Sequence, residues 1–179
     1  MVDATRARQS SHVRKMVYAS LFAALTAAGA WIAIPLWPVP ITLQTLFTML
    51  SGAVLGPYFG ALAMVVYVLL GLIGLPVFAG GQSGLGALLG PAGGYLVGFV
   101  VGAVVIGLLT RLRKKPGFLW LCMSMALGEL VVYAFGVVQL SLVAGMPLDK
   151  AVYLGALLFV PGDVLKIAAA ALIARKIEV

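Results

Sequence analysis

The sequence predicts an all-α integral membrane protein, a bundle of six helices with both ends in the cytoplasm. Three observations lead there. First, 63% of the 179 residues are hydrophobic and 9% are charged, against roughly 25% charged in a soluble domain, and mean hydropathy is +1.16. Second, uncharged stretches recur at the ~20-residue length of a membrane span, and six of them use about 120 residues, leaving no space for a soluble domain. Third, ten of the twelve Lys and Arg residues fall in three clusters: Arg6, Arg8, Arg14 and Lys15; Arg111, Arg113, Lys114 and Lys115; Arg175 and Lys176. Basic clusters flanking apolar segments mark cytoplasmic loops.

Residues 1–15 read as a basic cytoplasmic tail, and 16–179 as a single six-span domain. The first span, 16–34, has the flank and small residues of a secretory signal. A retained span is preferred, because cleavage would leave the two remaining basic clusters awkwardly placed. Pro35, Pro38 and Pro40 end it, and PLWPVP is an outer loop. The second span covers 42–56, Gly56-Pro57 is a tight turn, and the third covers 58–74. Residues 75–94 hold seven glycines and no charge, too irregular for a span and too apolar for a solvated linker. Such backbone is tolerated at membrane depth only when packed in protein or lining a cavity, so it reads as an outer loop folded over a pocket. The fourth span is 95–109. The fifth, 118–144, is long enough to tilt. Residues 148–159 form a short outer helix, and Pro161 suits the first turn of the last span, which ends near Ala174. With the N-terminus inside, the second and third basic clusters also fall inside. No internal repeat is present, which argues against a repeat-built secondary transporter.

The net charge of +7 does not signal nucleic acid, since no basic stripe with interleaved aromatics accompanies it. The lone Cys122 reads as a packing residue, and His12 as a solvated tail residue, so no metal site is expected. GPAGGY lacks the lysine of a phosphate-binding loop, and no HExxH or GxSxG set is present. The chain therefore has no nucleotide-hydrolysing motif of its own.

Three ionisable residues sit inside the apolar spans: Glu129, Asp163 and Lys166. Each costs about 2.5–3.5 kcal/mol at the centre of a span, so intramembrane ions mark function by default. Asp163 and Lys166 are i, i+3 on the last helix and share a face. They are either an ion pair that neutralises itself or a pocket offering an acceptor and a donor to a polar ligand. Gly162 permits close approach, and the first helical turn favours an ionised Asp163. Glu129 is a third polar wall, a counter-charge for Lys166, or a protonated packing group. A membrane-embedded enzyme using Glu129 or Asp163 as acid–base and an oligomeric channel are the rival classes.

Gln44, Tyr95, Tyr133 and Gln139 are candidate lining residues, each otherwise a helix–helix hydrogen bond. Trp37 and Phe78 on the outer loops are either interfacial anchors or walls stacking on an apolar or thioether part of a ligand. Ala19, Ala23 and Ala27, at i, i+4 and i+8, form a smooth face that packs on a neighbouring span or docks a partner membrane protein.

PVPITLQTL (38–46), GLPVFAGG (74–81), GPAGGYLVGF (90–99) and PGDVLK (161–166) resemble the BioY family, the biotin-binding S components of energy-coupling-factor (ECF) transporters. The resemblance runs in order over about residues 16–176. Ala92 departs from it, standing where the family often has threonine. The resemblance implies a six-helix S-component fold in a prokaryotic cell membrane, with an outward-facing vitamin pocket. It implies Asp163 and Lys166 at the biotin head group, whose sulfur-containing ring suits an apolar wall at Tyr95 or Trp37; with Gln44 and the polar wall Glu129 from the reading above, these make up the expected ligand site. For the carboxylate tail, Lys150 is a candidate only. It also implies partners, a transmembrane coupling protein and two ATPases, which would dock on Ala19, Ala23 and Ala27 and drive delivery inward. No cofactor is implied, biotin being the cargo, and residues 75–94 would act as a lid.

Overall fold

A computed structural model describes the backbone of residues 2–177 and the side chains of residues 12–177. Arg6 and Arg8 of the first basic cluster therefore lie outside the described side chains. Helix α1 spans Val2–Trp31 with no proline to interrupt it. This revises the expected boundary at residue 15: the polar segment continues the helix of the first span. His12 is exposed, with its ring edge-on to Phe59 at 5.0 Å.

A short antiparallel ladder follows, β1 (Ala33–Ile34) against β2 (Ile41–Thr42), pairing Ala33 with Thr42 and Ile34 with Ile41. The sequence reading had only a loop here. Three prolines forbid helix, while the β-branched Ile34 and Ile41 suit a small hairpin.

Helix α2 covers Gln44–Leu72 but is broken at Gly56 (φ +80°, ψ −175°), followed by Pro57. Its two arms fold back on each other. Thr48 Oγ1 reaches Met64 Sδ at 3.2 Å, Ser51 Oγ donates to the Gly60 carbonyl at 3.4 Å, and Gln44 donates to the Tyr67 hydroxyl. The pairs 44–67, 48–64 and 51–60 define an antiparallel helical hairpin, as the Gly56-Pro57 turn predicts.

The glycine-rich segment is partly helical: a 3₁₀ turn at Ala79–Gly81 precedes α3 (Gly84–Leu89). Helix α4 spans Gly93–Arg111 and α5 spans Phe118–Ala144. Gly94, Gly98 and Gly102 of α4 lie directly against α5. A Cβ on Gly98 would sit 2.8 Å from Val132 Cα, and one on Gly102 would sit 3.0 Å from the Gly128 carbonyl oxygen. This small-residue stripe, one per turn, lets the two backbones approach closely. The chain then forms α6 (Leu148–Val152), a π turn over Tyr153–Leu157, and α7 (Val160–Ala174).

Among the described residues, α4 and α5 are each long and apolar enough to cross a membrane, and α2 has that length and apolarity too, divided at Gly56 into two arms. The segment 148–157 with α7, bent by 41°, passes the same test as one unit. Lys15, Arg111, Arg113, Lys114, Lys115 and Arg175 surround a single depression at the Gly56 end of the bundle. Members of all three basic clusters thus meet at one end, and α4 separates that end from its own N-terminus by about 28 Å at 1.5 Å per residue.

Ala19 and Ala23 are 2% and 1% exposed, and Ala27 is partly buried. This overturns their expected role as a partner-docking face. The small residues let α1 lie close on α2: Thr26 Oγ1 approaches Met64 Sδ at 4.0 Å, and a Cβ on Gly29 would meet the Phe47 ring at 2.9 Å. The face is used inside the chain.

Candidate functional site

Helices α2, α4 and α7 begin at the end of the bundle remote from the basic depression, and α5 passes among them. Between them lies a small cavity, lined by residues of all four helices. Val39, Phe78, Leu96, Phe99 and Phe159 supply apolar walls, and a hydrogen-bonded cluster of Thr45, Tyr133, Asp163 and Lys166 also borders it.

The polar cluster is centred on Asp163. Pro161 opens α7, so Asp163 falls in its first turn, 3% exposed. Lys166, one turn on, donates to Asp163 Oδ1 at 2.8 Å and to Thr45 Oγ1 at 3.1 Å. Thr45 itself donates to Asp163 Oδ1 at 3.3 Å, and Tyr133 donates to Oδ2. The two readings of this pair are therefore both realised in part: the ion pair forms, and it borders a cavity. Thr45 is a functional candidate that sequence reasoning missed. A hydroxyl in an apolar helix carries no charge signal, and only the folded hairpin of α2 brings it to α7.

Glu129 and Tyr133, at i, i+4 on α5, point to the same cavity. Glu129 is 3% exposed, and neither of its carboxyl oxygens has a hydrogen-bond partner. It makes no ion pair with Lys166. Gln44 is 4% exposed; it donates to the Tyr67 hydroxyl and accepts from Thr42 Oγ1 at 2.8 Å. Tyr95 donates to the Gly155 carbonyl at 2.7 Å, and its ring lies where a side chain on Gly136 would stand. Its hydroxyl is thus occupied, and its ring lines the cavity.

The glycine-rich segment is pinned over this space. Tyr67 donates to the Val77 carbonyl at 3.1 Å, Phe78 packs edge-on to Tyr67 at 5.6 Å, and Gln139 donates to the carbonyls of Leu88 and Gly90, each at 2.8 Å. Gln139, expected as a lining residue, instead ties the segment to α5. Trp37 is a correction. It lies on the connection between β1 and β2, 78% exposed, and does not border the cavity, because the proline-rich turn carries it outward. Lys150, on α6, is also exposed and outside it. No group of His, Cys, Asp and Glu able to hold a metal occurs among the described residues.

The family model described as BioY family matches residues 4–179. The chain belongs to the BioY family. A biotin transporter BioY from Thermotoga maritima is 48% identical over 166 residues, covering 93% of this chain and 96% of that protein. A second, from Rhodobacter capsulatus, is 44% identical over 176 residues, covering 92% and 93%. The crystal structure of the S-component for biotin from an ECF-type ABC transporter matches with a TM-score of 0.86 at 30% identity, covering 93% of this chain and 92% of that one. Membership in BioY places the chain with substrate-binding transport subunits rather than enzymes.

Proposed function

We propose that the chain is the biotin-binding subunit of an ECF transporter, taking biotin from outside the cell with high affinity. In this reading α1, the two arms of α2, α4, α5 and α7 are six crossings of the cell membrane. Both termini lie in the cytoplasm, which the meeting of the basic clusters at one end supports under the positive-inside rule. The cavity then opens outward.

The observation that carries the proposal is a buried ion pair with hydrogen-bonding capacity to spare, bordering a largely apolar cavity. A lysine ammonium has three donors, and Lys166 uses two of them within the chain. The remaining one suits the carbonyl of a ureido ring, and Asp163 suits a ring N–H. Charge-assisted bonds of this kind contribute about 1.5–3 kcal/mol each. The rings of Tyr95, Phe99 and Phe159 suit the sulfur-containing ring of biotin. Residues 75–94 cover the bound ligand as a lid.

The chain carries no nucleotide-binding motif, so ATP hydrolysis belongs to two partner ATPases acting through a transmembrane coupling protein. Since the alanine face of α1 is buried, that protein docks elsewhere. Titration of the purified chain with biotin is expected to show one saturable site. Cells expressing it with a coupling module are expected to accumulate biotin only when the ATPases are active. No saturable binding, or conversion of biotin to a product, would overturn the proposal.

A further inference from the structure

Glu129 is the only side chain among the described residues that is buried with polar atoms lacking any partner, and both its carboxyl oxygens are in that condition. A buried unpaired carboxyl is strongly unfavourable, and such a group calls for a specific explanation. It stands on α5 one turn from Tyr133, bordering the same cavity as Asp163 and Lys166.

Counting hydrogen bonds indicates what it is for. A carboxylate has about four acceptor sites. Asp163 already takes Lys166 and Thr45 on Oδ1 and Tyr133 on Oδ2, which leaves about one. Lys166 has one donor free. A cyclic urea presents one carbonyl and two N–H groups on the two sides of it. Lys166 satisfies the carbonyl and Asp163 satisfies one N–H, so the second N–H has no charged acceptor in this cluster. Tyr95 and Tyr133 spend their hydroxyl protons within the chain, and Gln44 Oε1 and Thr45 Oγ1 each already accept one bond, so what these four still offer is at most a neutral lone pair. Glu129 has both oxygens open.

We propose that Glu129 is a direct ligand contact that accepts the second N–H of a cyclic urea, so that Asp163 and Glu129 together select ligands bearing N–H on both sides of the carbonyl. This rests on the biotin reading above. The orphaned carboxyl is then a site held ready, completed when the ligand enters. Glutamine at this position keeps the shape and one neutral acceptor oxygen but cannot carry the charge that strengthens the bond.

The test is calorimetric titration of the wild-type chain and of Glu129→Gln with biotin. The expected result is saturable binding to the wild type and a loss of about tenfold in the variant, the difference between a charge-assisted bond and a neutral one. Wild-type binding with an unchanged variant overturns the assignment of Glu129 alone. A wild type that binds no biotin overturns the transport reading and this inference with it. A second measurement covers a variant that does not fold. The chain has two glutamates, Glu129 and Glu178, so ¹³C-glutamate labelling in the Glu178→Gln background isolates Glu129 in the infrared spectrum. Biotin is expected to change the labelled carboxyl absorption, in its C=O or its carboxylate stretch, and a difference spectrum without any such change overturns the inference.

Discussion

Replacing Asp163 by asparagine, alone and together with Lys166→Met, separates a ligand site from a purely structural ion pair. Asp163 is 3% exposed and holds three partners: Lys166 at 2.8 Å, Thr45 at 3.3 Å and the Tyr133 hydroxyl. Asparagine keeps the shape and one acceptor oxygen but removes the charge. Lys166, whose side chain is 11% exposed, is left without its bonded counter-charge. Breaking a buried pair in this way costs about 3–5 kcal/mol of stability, and the nearby carboxyl of Glu129 draws the expected value to the low end. Loss of one charge-assisted hydrogen bond to ligand, about 1.5–3 kcal/mol, weakens biotin affinity by about 10- to 150-fold. The double variant removes both charges, so thermal unfolding in detergent should recover most of the stability lost in the single variant. Biotin affinity should not recover, because donor and acceptor are both gone. Thermal melts and calorimetric titrations on the same preparations read the two effects separately. A double variant that binds biotin like the wild type would refute the reasoning and leave the pair a structural device.

Four other substitutions probe the framework. Gly56→Ala places a side chain at φ +80°, against the Arg111 guanidinium, and should lower stability by about 1–3 kcal/mol; an unchanged melt would contradict the hairpin geometry. Gln139→Leu removes the bonds to the Leu88 and Gly90 carbonyls, at about 1 kcal/mol each, and should raise hydrogen exchange across residues 84–94 and speed biotin release. Ala23→Trp overfills the contact between α1 and α2 and should destabilise the isolated chain by about 1–3 kcal/mol or more; unaltered stability of the chain alone would return that face to the surface. Trp37→Ala should leave biotin affinity within about twofold, the range of exposed substitutions away from a site, as titration will read.

How much of this was legible in the sequence follows from the kind of signal each residue carries. Asp163, Lys166 and Glu129 announce themselves because charge is costly in hydrocarbon, and all three border one cavity. Gly56-Pro57 announces the break in α2 because a positive φ and a missing N–H have few other uses. The alanine face of α1 was ambiguous, since a smooth stripe is the same pattern whether a neighbour within the chain or a partner covers it, and here α2 covers it. The Gly94–Gly98–Gly102 stripe was present in the sequence but overshadowed by the reading of its start as loop. Direction was the hardest property to read: Trp37 and Phe78 both precede or flank outer turns, yet Phe78 is 3% exposed over Gly71 while Trp37 points away. Spacing along a chain does not tell which way a loop side chain turns.

In the function proposed above, the cavity between α2, α4, α5 and α7 holds biotin by its ureido ring. Determining the structure of the chain crystallised with biotin tests it most directly. The bicyclic head group is expected among Asp163, Lys166 and Glu129, with the carbonyl on Lys166 and the tail toward residues 75–94. Biotin bound in the reverse orientation, or at another surface with this cavity unfilled, would contradict it.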